Sequence, residues 1–180
     1  MPSRILEKYR KEVAPALKAE FGYKNVFAIP RITKAVVNIG VGKISKDTKA
    51  LEKIEIDLAK ITGQKPALRN AKKSIAGFKL REGTPAGYMV TLRGGRMYDF
   101  IDRLISVALP RSRDFQGLPE SSFDASGNLN IGIKEHNIFP EVSYESLKDI
   151  FGLEVTIVTT ATTRAEGVAL LRRLGFPIKS

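Results

Sequence analysis

Seven cations crowd one short stretch of this chain. Arg69, Lys72, Lys73, Lys79, Arg81, Arg93 and Arg96 stand within residues 69–96 against Glu82 alone, seven against one, a net +6. Guanidinium and ammonium groups at that density attract polyanions, and phosphate oxygens suit their geometry. Phe78 sits among them, able to stack on a base or a sugar, and Gly77 and Gly83 let the backbone reshape around a partner. The plainer alternative is a solvated loop with Phe78 tucked onto the core, and so many cations on one loop weigh against it. A second stretch has the opposite sign. Residues 135–154 hold Glu135, Glu141, Glu145, Asp149 and Glu154 against Lys148, one against five, a net −4. Such a patch repels RNA locally and suits a basic protein partner, or is an ordinary solvated segment.

Catalytic chemistry finds little support. The chain has no Cys, which removes thiolate zinc sites, cysteine nucleophiles and disulfides together, and its single His136 is too few for a histidine metal site. No metal ligands and no cofactor are expected. Gly40-Val-Gly-Lys-Ile-Ser45 follows a strand, as dinucleotide-binding glycines do, but the third glycine is replaced by Ser45, and the phosphate-loop pattern is absent too. Carboxylate pairs such as Glu7 and Glu12 fall on helix surface. The aromatic strand signature and the Gly-x-x-Gly clamp of common RNA modules are also missing. No run of about 18 apolar residues exists to span a membrane, and the first residues mix charges without a signal-peptide core, so a cytoplasmic protein with no membrane partner is expected.

The chain has 180 residues, 43% of them hydrophobic, enough for a core in a single domain spanning 1–180. Lys and Arg number 30 against 19 Asp and Glu, a net charge of +11, which marks a polyanionic partner. Leu6, Tyr9, Val13, Leu17 and Phe21 recur at helical spacing over residues 4–21, with Pro15 expected to kink or split the helix. Alternation predicts a strand over 32–41, with Ala35, Val37, Ile39 and Val41 inward and Lys34, Val36, Asn38 and Gly40 outward. A helix capped by Asp47 carries Leu51, Ile54, Leu58 and Ile61 and ends at Gly63. A short strand is expected at 66–71, then a long, mobile, basic loop at 72–85; loops of that length are usually functional. Strands follow at 87–93, 128–134 and 153–162. A helix carries Met97, Phe100, Ile101, Leu104, Ile105 and Ala108 to an end near Pro110, and a short one is expected at 144–150. Thr163 and Glu166 make a capping box for the last helix.

Strands and helices without strict alternation, and strands apolar on one side only, predict an α+β fold. Its sheet is mostly antiparallel, with helices packed on one face and the other face open for RNA. The outward residues are Lys34, Asn38, Thr91, Arg93, Asn130, Thr156 and Thr160. These short hydrogen-bonding groups and cations on a rigid surface suit phosphate oxygens and 2′-hydroxyls. An ordinary solvated sheet face is the alternative, since Thr is favoured in strands anyway.

Together the motifs carry a resemblance. Ile29-Pro-Arg-Ile32, Val37-Asn-Ile-Gly-Val-Gly42, Thr62-Gly-Gln-Lys-Pro66, Lys72-Lys-Ser-Ile-Ala-Gly-Phe-Lys-Leu-Arg81, Val90-Thr-Leu-Arg-Gly94, Leu109-Pro-Arg-Ser-Arg-Asp-Phe115 and Ile138-Phe-Pro-Glu141 resemble, in order along nearly the whole chain, the bacterial large-subunit ribosomal protein L5 family. The resemblance implies a ribosomal protein of the central protuberance that binds 5S rRNA and attaches it to the large subunit. It further implies contacts with 23S rRNA, P-site tRNA, other 5S-associated large-subunit proteins and a basic small-subunit head protein, the thirteenth of its series. It assigns the 5S contact to Asn38, Gln64 and Thr91, beside which Lys34 and Arg93 stand on the outward side of the strands. It assigns the tRNA approach to Lys72, Lys73, Ser74, Phe78, Lys79 and Arg81, and the intersubunit bridge to the stretch with Glu135, Glu141, Glu145 and Asp149. The chain departs from the family at Asp124-Ala-Ser-Gly-Asn128 and at Arg113-Asp-Phe-Gln-Gly117, each of which lacks an arginine found in the family, and at His136 and Asn137. On residues alone two other readings stay open: an RNA regulator or chaperone off the ribosome, and a nucleotide-using enzyme built on residues 40–45.

Overall fold

Two prolines stand inside helical stretches, and the chain treats both in the same way. Pro15 and Pro110 have no N–H to give to the carbonyl one turn back. In the computed structural model, the N–H before each proline reaches five residues back instead of four: Ala14 donates to Tyr9 and Leu109 to Leu104. The first helical run is therefore α1 (Arg4–Lys8), a wide π-helical segment (Tyr9–Val13) and α2 (Ala14–Phe21). The later one is α4 (Gly94–Arg103), a π-helical segment (Leu104–Ala108) and α5 (Leu109–Arg111). Pro15 splits the first helix as expected. Its buried face carries Ile5, Val13 and Leu17, with the expected Leu6 only half-buried.

The structure describes residues 3–45, 47–78, 80–113, 115–142 and 150–179; the helix expected at 144–150 falls almost wholly outside them. The remaining elements are β1 (Ile32–Gly40), α3 (Thr48–Thr62), β2 (Ala67–Asn70), β3 (Pro85–Leu92), β4 (Leu129–Ile133), β5 (Leu153–Thr159) and α6 (Arg164–Leu174). The strands form one antiparallel sheet in the order β2-β3-β1-β5-β4, and the fold is α+β. Contacts cluster in two compact units. The first comprises residues 1–35, 92–131 and 156–180, and the second comprises residues 36–91 and 132–155.

In the first unit α1 and α4 are joined by Arg4, which donates to Asp102 at 2.6 Å and to Ser106 at 3.0 Å. The expected capping box of α6 is present. Glu166 N–H donates to Thr163 Oγ1, and the Glu166 carboxylate accepts from the N–H groups of Thr163 and Thr162. Tyr23 donates its hydroxyl to the same carboxylate from just beyond α2; burial and that carboxylate together push the Tyr23 hydroxyl's pKa up. Gly167 opens the core face of α6 against the backbone of Gly127, and a Cβ there would overlap the Gly127 carbonyl.

The second unit packs the stripe Leu51, Ile54, Leu58 and Ile61 of α3 into the core, along with the inward residues Val37, Ile39, Val41, Tyr88 and Val90. Asp47 caps α3 by accepting the Ala50 N–H at 3.2 Å, and Gly63 ends it with φ +68. Val41 N–H donates to the Ala86 carbonyl at 3.0 Å. At Gly87 the strands approach so closely that a Cβ would lie 2.6 Å from the Ile39 carbonyl oxygen. Gly87→Ala is therefore expected to destabilise the protein by about 1–3 kcal/mol through forced backbone separation. Gly40→Ala, with open space around it, is expected to be nearly neutral. Thermal melts of the two variants check this, and equal melting points would contradict it.

Candidate nucleic-acid interface

Lys34 apart, the residues singled out on strands keep the sides that alternation assigned them. Val37, Ile39 and Val41 are at most 1% exposed, whereas Asn38 and Gly40 are exposed. Tyr88, Val90 and Leu92 are buried, Met89 and Thr91 are half-buried, and Arg93 is exposed at the start of α4. Asn130 and Thr160 are exposed and Thr156 is half-buried, with Thr156 donating to Asn130 at 2.8 Å. Lys34 is half-buried; next to exposed Thr33, it marks a break in the alternation of β1. Lys34 and Arg93 belong to the first unit, and Asn38, Gln64 and Thr91 to the second.

Within the second unit, local chemistry ties Gln64 to Thr91. Gly63 turns the chain out of α3, and the buried Thr62 hydroxyl bonds back to the Leu58 carbonyl at 2.7 Å and to the Gln64 carbonyl at 3.0 Å. That turn sets the Gln64 side chain so that its amide donates to the Thr91 carbonyl at 3.4 Å. The Gln64 carboxamide oxygen and the Thr91 hydroxyl thus come from one short stretch of β3 and the turn beside it. A groove of about 670 Å³ adjoins Gln64 and is walled by Glu52, Glu55, Ile56 and Lys65.

Asn38 lies in a shallow depression of about 310 Å³ shared with Gly40, Gly132, Gly152, Lys134 and Glu154. Three of its lining residues are glycines, so a partner meets bare backbone there. Lys134 supplies a cation and Glu154 an anion, both exposed. Sequence reasoning missed these glycines as a group. Gly40 reads as part of a nucleotide motif, Gly132 and Gly152 belong to no motif, and only strand pairing brings residues 40, 132 and 152 together. The available signal was that Gly40 and Gly132 both fall on the outward positions of their strands.

The basic segment between β2 and β3 has more order than a featureless loop. Ile75 and Leu80 exchange backbone hydrogen bonds at 2.9 and 3.2 Å around a tight turn, Ala76–Phe78. Below it, Ala71 N–H donates to Thr84 O and Gly83 N–H to Ala71 O, while Ser74 Oγ accepts the Glu82 N–H. It therefore continues the β2–β3 hairpin. Lys72, Lys73, Ser74 and Arg81 are exposed on it, and Lys79 lies outside the described residues.

The acidic stretch begins at a buried clamp. His136 is 1% exposed and stacks on Phe151 at 3.9 Å with the rings 4° from parallel. Its Nδ1 accepts the Phe151 N–H at 3.3 Å, and its backbone N–H donates to the Phe151 carbonyl at 3.0 Å. The two ends of the segment are thereby fastened together. Glu135 and Glu141 are half-buried, with Glu135 accepting from Asn137, and Glu145 and Asp149 fall outside the described residues. At residues 124–128 the Asp124 carboxylate accepts from the Asn128 side chain and from the N–H groups of Ser126 and Asn128, which holds its pKa below the usual range. The turn is built without the missing arginine. Among the described residues no group of three or more His, Cys, Asp or Glu is placed to hold a metal, and no helix is long and apolar enough to cross a membrane.

Two family models match the chain: that of ribosomal protein L5 over residues 25–81, and that of the same ribosomal family's C-terminus over residues 85–178. A protein of Chloroflexus aurantiacus called large ribosomal subunit protein uL5 is 54% identical over 179 residues, 99% of each chain. Proteins of the same name from Rubrobacter xylanophilus and Synechocystis are 54% identical over 177 residues and 52% identical over 180 residues, covering 98% and 100% of each chain.

Proposed function

The chain belongs to the ribosomal protein L5 family, structural proteins of the large ribosomal subunit and not enzymes, and from that premise we propose that it holds 5S rRNA and attaches it to the subunit in the central protuberance. The whole chain works as one RNA-binding protein with a basic hairpin at 72–85. Its mechanism is positional: it recognises the shape and backbone of one folded RNA and presents other surfaces to 23S rRNA, P-site tRNA and the small subunit. The observation that carries this reading is the pairing of Gln64 with Thr91, in the same unit as an exposed Asn38 on a glycine-lined depression. Uncharged donors and acceptors beside bare backbone suit riboses and phosphates that must come close.

The exposed Lys72, Lys73 and Arg81, with Ser74, Phe78 and Lys79, form the arm toward P-site tRNA. The segment fastened by His136 and Phe151, with Glu135, Glu141, Glu145 and Asp149, offers negative charge to the basic head protein, the thirteenth of the small-subunit series. Lys34 and Arg93 add phosphate contacts to the 5S interaction.

Asn38→Ala and Thr91→Ala are each expected to weaken binding to isolated 5S rRNA by roughly 1–3 kcal/mol, as polar groups on the RNA lose partners. Mobility-shift titration reads this, and wild-type affinity for both variants would overturn the assignment. Neutralising Lys72, Lys73, Lys79 and Arg81 together is expected to leave isolated 5S binding nearly intact while weakening P-site tRNA retention on rebuilt ribosomes. An equal loss of 5S binding would show that the hairpin serves the 5S contact instead.

A further inference from the structure

Phe27 is 86% exposed and Val26 beside it 63%, the largest exposures among the large apolar side chains of the described residues. The segment that carries them is built, not slack. Asn25 accepts the Phe27 N–H on its side-chain oxygen at 2.9 Å and the Ala28 N–H on its carbonyl at 3.1 Å, and Ile29 N–H closes on the Val26 carbonyl at 3.3 Å. This makes a single tight turn, Val26–Ala28, capped by Asn25. Its base is anchored: Ile29 is 3% exposed, Tyr9 donates its hydroxyl to the Pro30 carbonyl at 3.1 Å, and Arg31 and Thr160 exchange hydrogen bonds. The turn therefore holds an aromatic ring out in solvent on a fixed stem, with its ordering cost already met on folding.

Charge identifies the partner. From Lys24 to Lys34 the sequence contains Lys24, Arg31 and Lys34 and no carboxylate, and Arg31 is exposed. A flat ring on a segment whose charged residues are all cations matches an unstacked nucleobase with its phosphates, since stacking supplies attraction and the cations neutralise the backbone. We propose that Phe27 stacks on an unpaired base of ribosomal RNA, with Val26 packed against the neighbouring sugar. This is an RNA contact of the first unit, additional to the Asn38, Gln64 and Thr91 contact of the second. It rests on the reading of the chain as an rRNA-binding ribosomal protein.

The chain contains no Trp, so Phe27→Trp places a single fluorophore at the tip. Full-length F27W is titrated with 5S rRNA in one arm and with protein-free 23S rRNA in the other, and mobility shift is followed in parallel. Quenching of the Trp emission in either arm is expected, and the arm that quenches names the RNA. Phe27→Ala is expected to weaken binding to that RNA about 5- to 150-fold, the equivalent of a stacking loss of roughly 1–3 kcal/mol, at an unchanged melting temperature, and Phe27→Tyr to restore it. RNA binding by mobility shift with unquenched emission in both arms would overturn the inference and leave the 5S reading standing. Loss of RNA binding by the wild-type chain would overturn the 5S reading itself. A blue shift produced only by added large-subunit proteins would assign the tip to a protein partner and also overturn the inference.

Discussion

Val37, Ile39 and Val41 are sealed from solvent, while Asn38 and Gly40 between them are exposed. Strand register is the constraint on which the candidate interface depends. Side chains alternate sides with a period of two, so a slip of one residue would turn Asn38 into the core and three apolar residues out of it. Each fully buried Val or Ile stabilises the native register by about 1.5–3 kcal/mol relative to exposure. An unpartnered buried Asn would add a penalty of roughly 1–3 kcal/mol. Gly87 reinforces the register sterically, because only a residue without Cβ passes the Ile39 carbonyl at that position. The outward polar groups are thus held in place by the buried residues between them.

The same division of labour recurs around the turn at residues 62–64. Thr62 is buried and its hydroxyl bonds two backbone carbonyls, which fixes the direction in which Gln64 leaves α3. Gln64 in turn is steadied by the Thr91 carbonyl. In the proposed 5S contact such groups gain from being oriented before the RNA arrives, since less ordering remains to be done on binding. Cations on the 72–85 hairpin work differently. They act over a Debye length through water, need little orientation, and lose influence as salt rises.

Much of this was legible in the sequence because it rests on local rules. The strands at 32–41 and 128–134, the Asp47 and Thr163 caps, the Gly63 stop and the effect of Pro15 each follow from a few neighbouring residues. Outward Asn38 and Thr91 followed from period two. What local rules could not supply was pairing. The depression formed by Gly40, Gly132 and Gly152 exists only because β1, β5 and β4 are neighbours in the sheet. The β2–β3 hairpin's cross-strand bonds from Ile75 to Leu80 were invisible because that stretch has no period. The clamp of His136 on Phe151 joins residues 15 apart, and the exposed Phe27 reads as an ordinary apolar residue until the turn that displays it is seen.

The proposed function requires that this chain select one structured RNA. The most direct test is to incubate the tagged full-length chain with total bacterial RNA at physiological salt, wash, and sequence what is retained. Strong enrichment of 5S rRNA over transfer RNAs, which carry the same charge per nucleotide, is expected. Retention of the two in proportion to their abundance would contradict it, because it would mean that the net charge of +11 binds RNA without the outward face of the strands reading its shape.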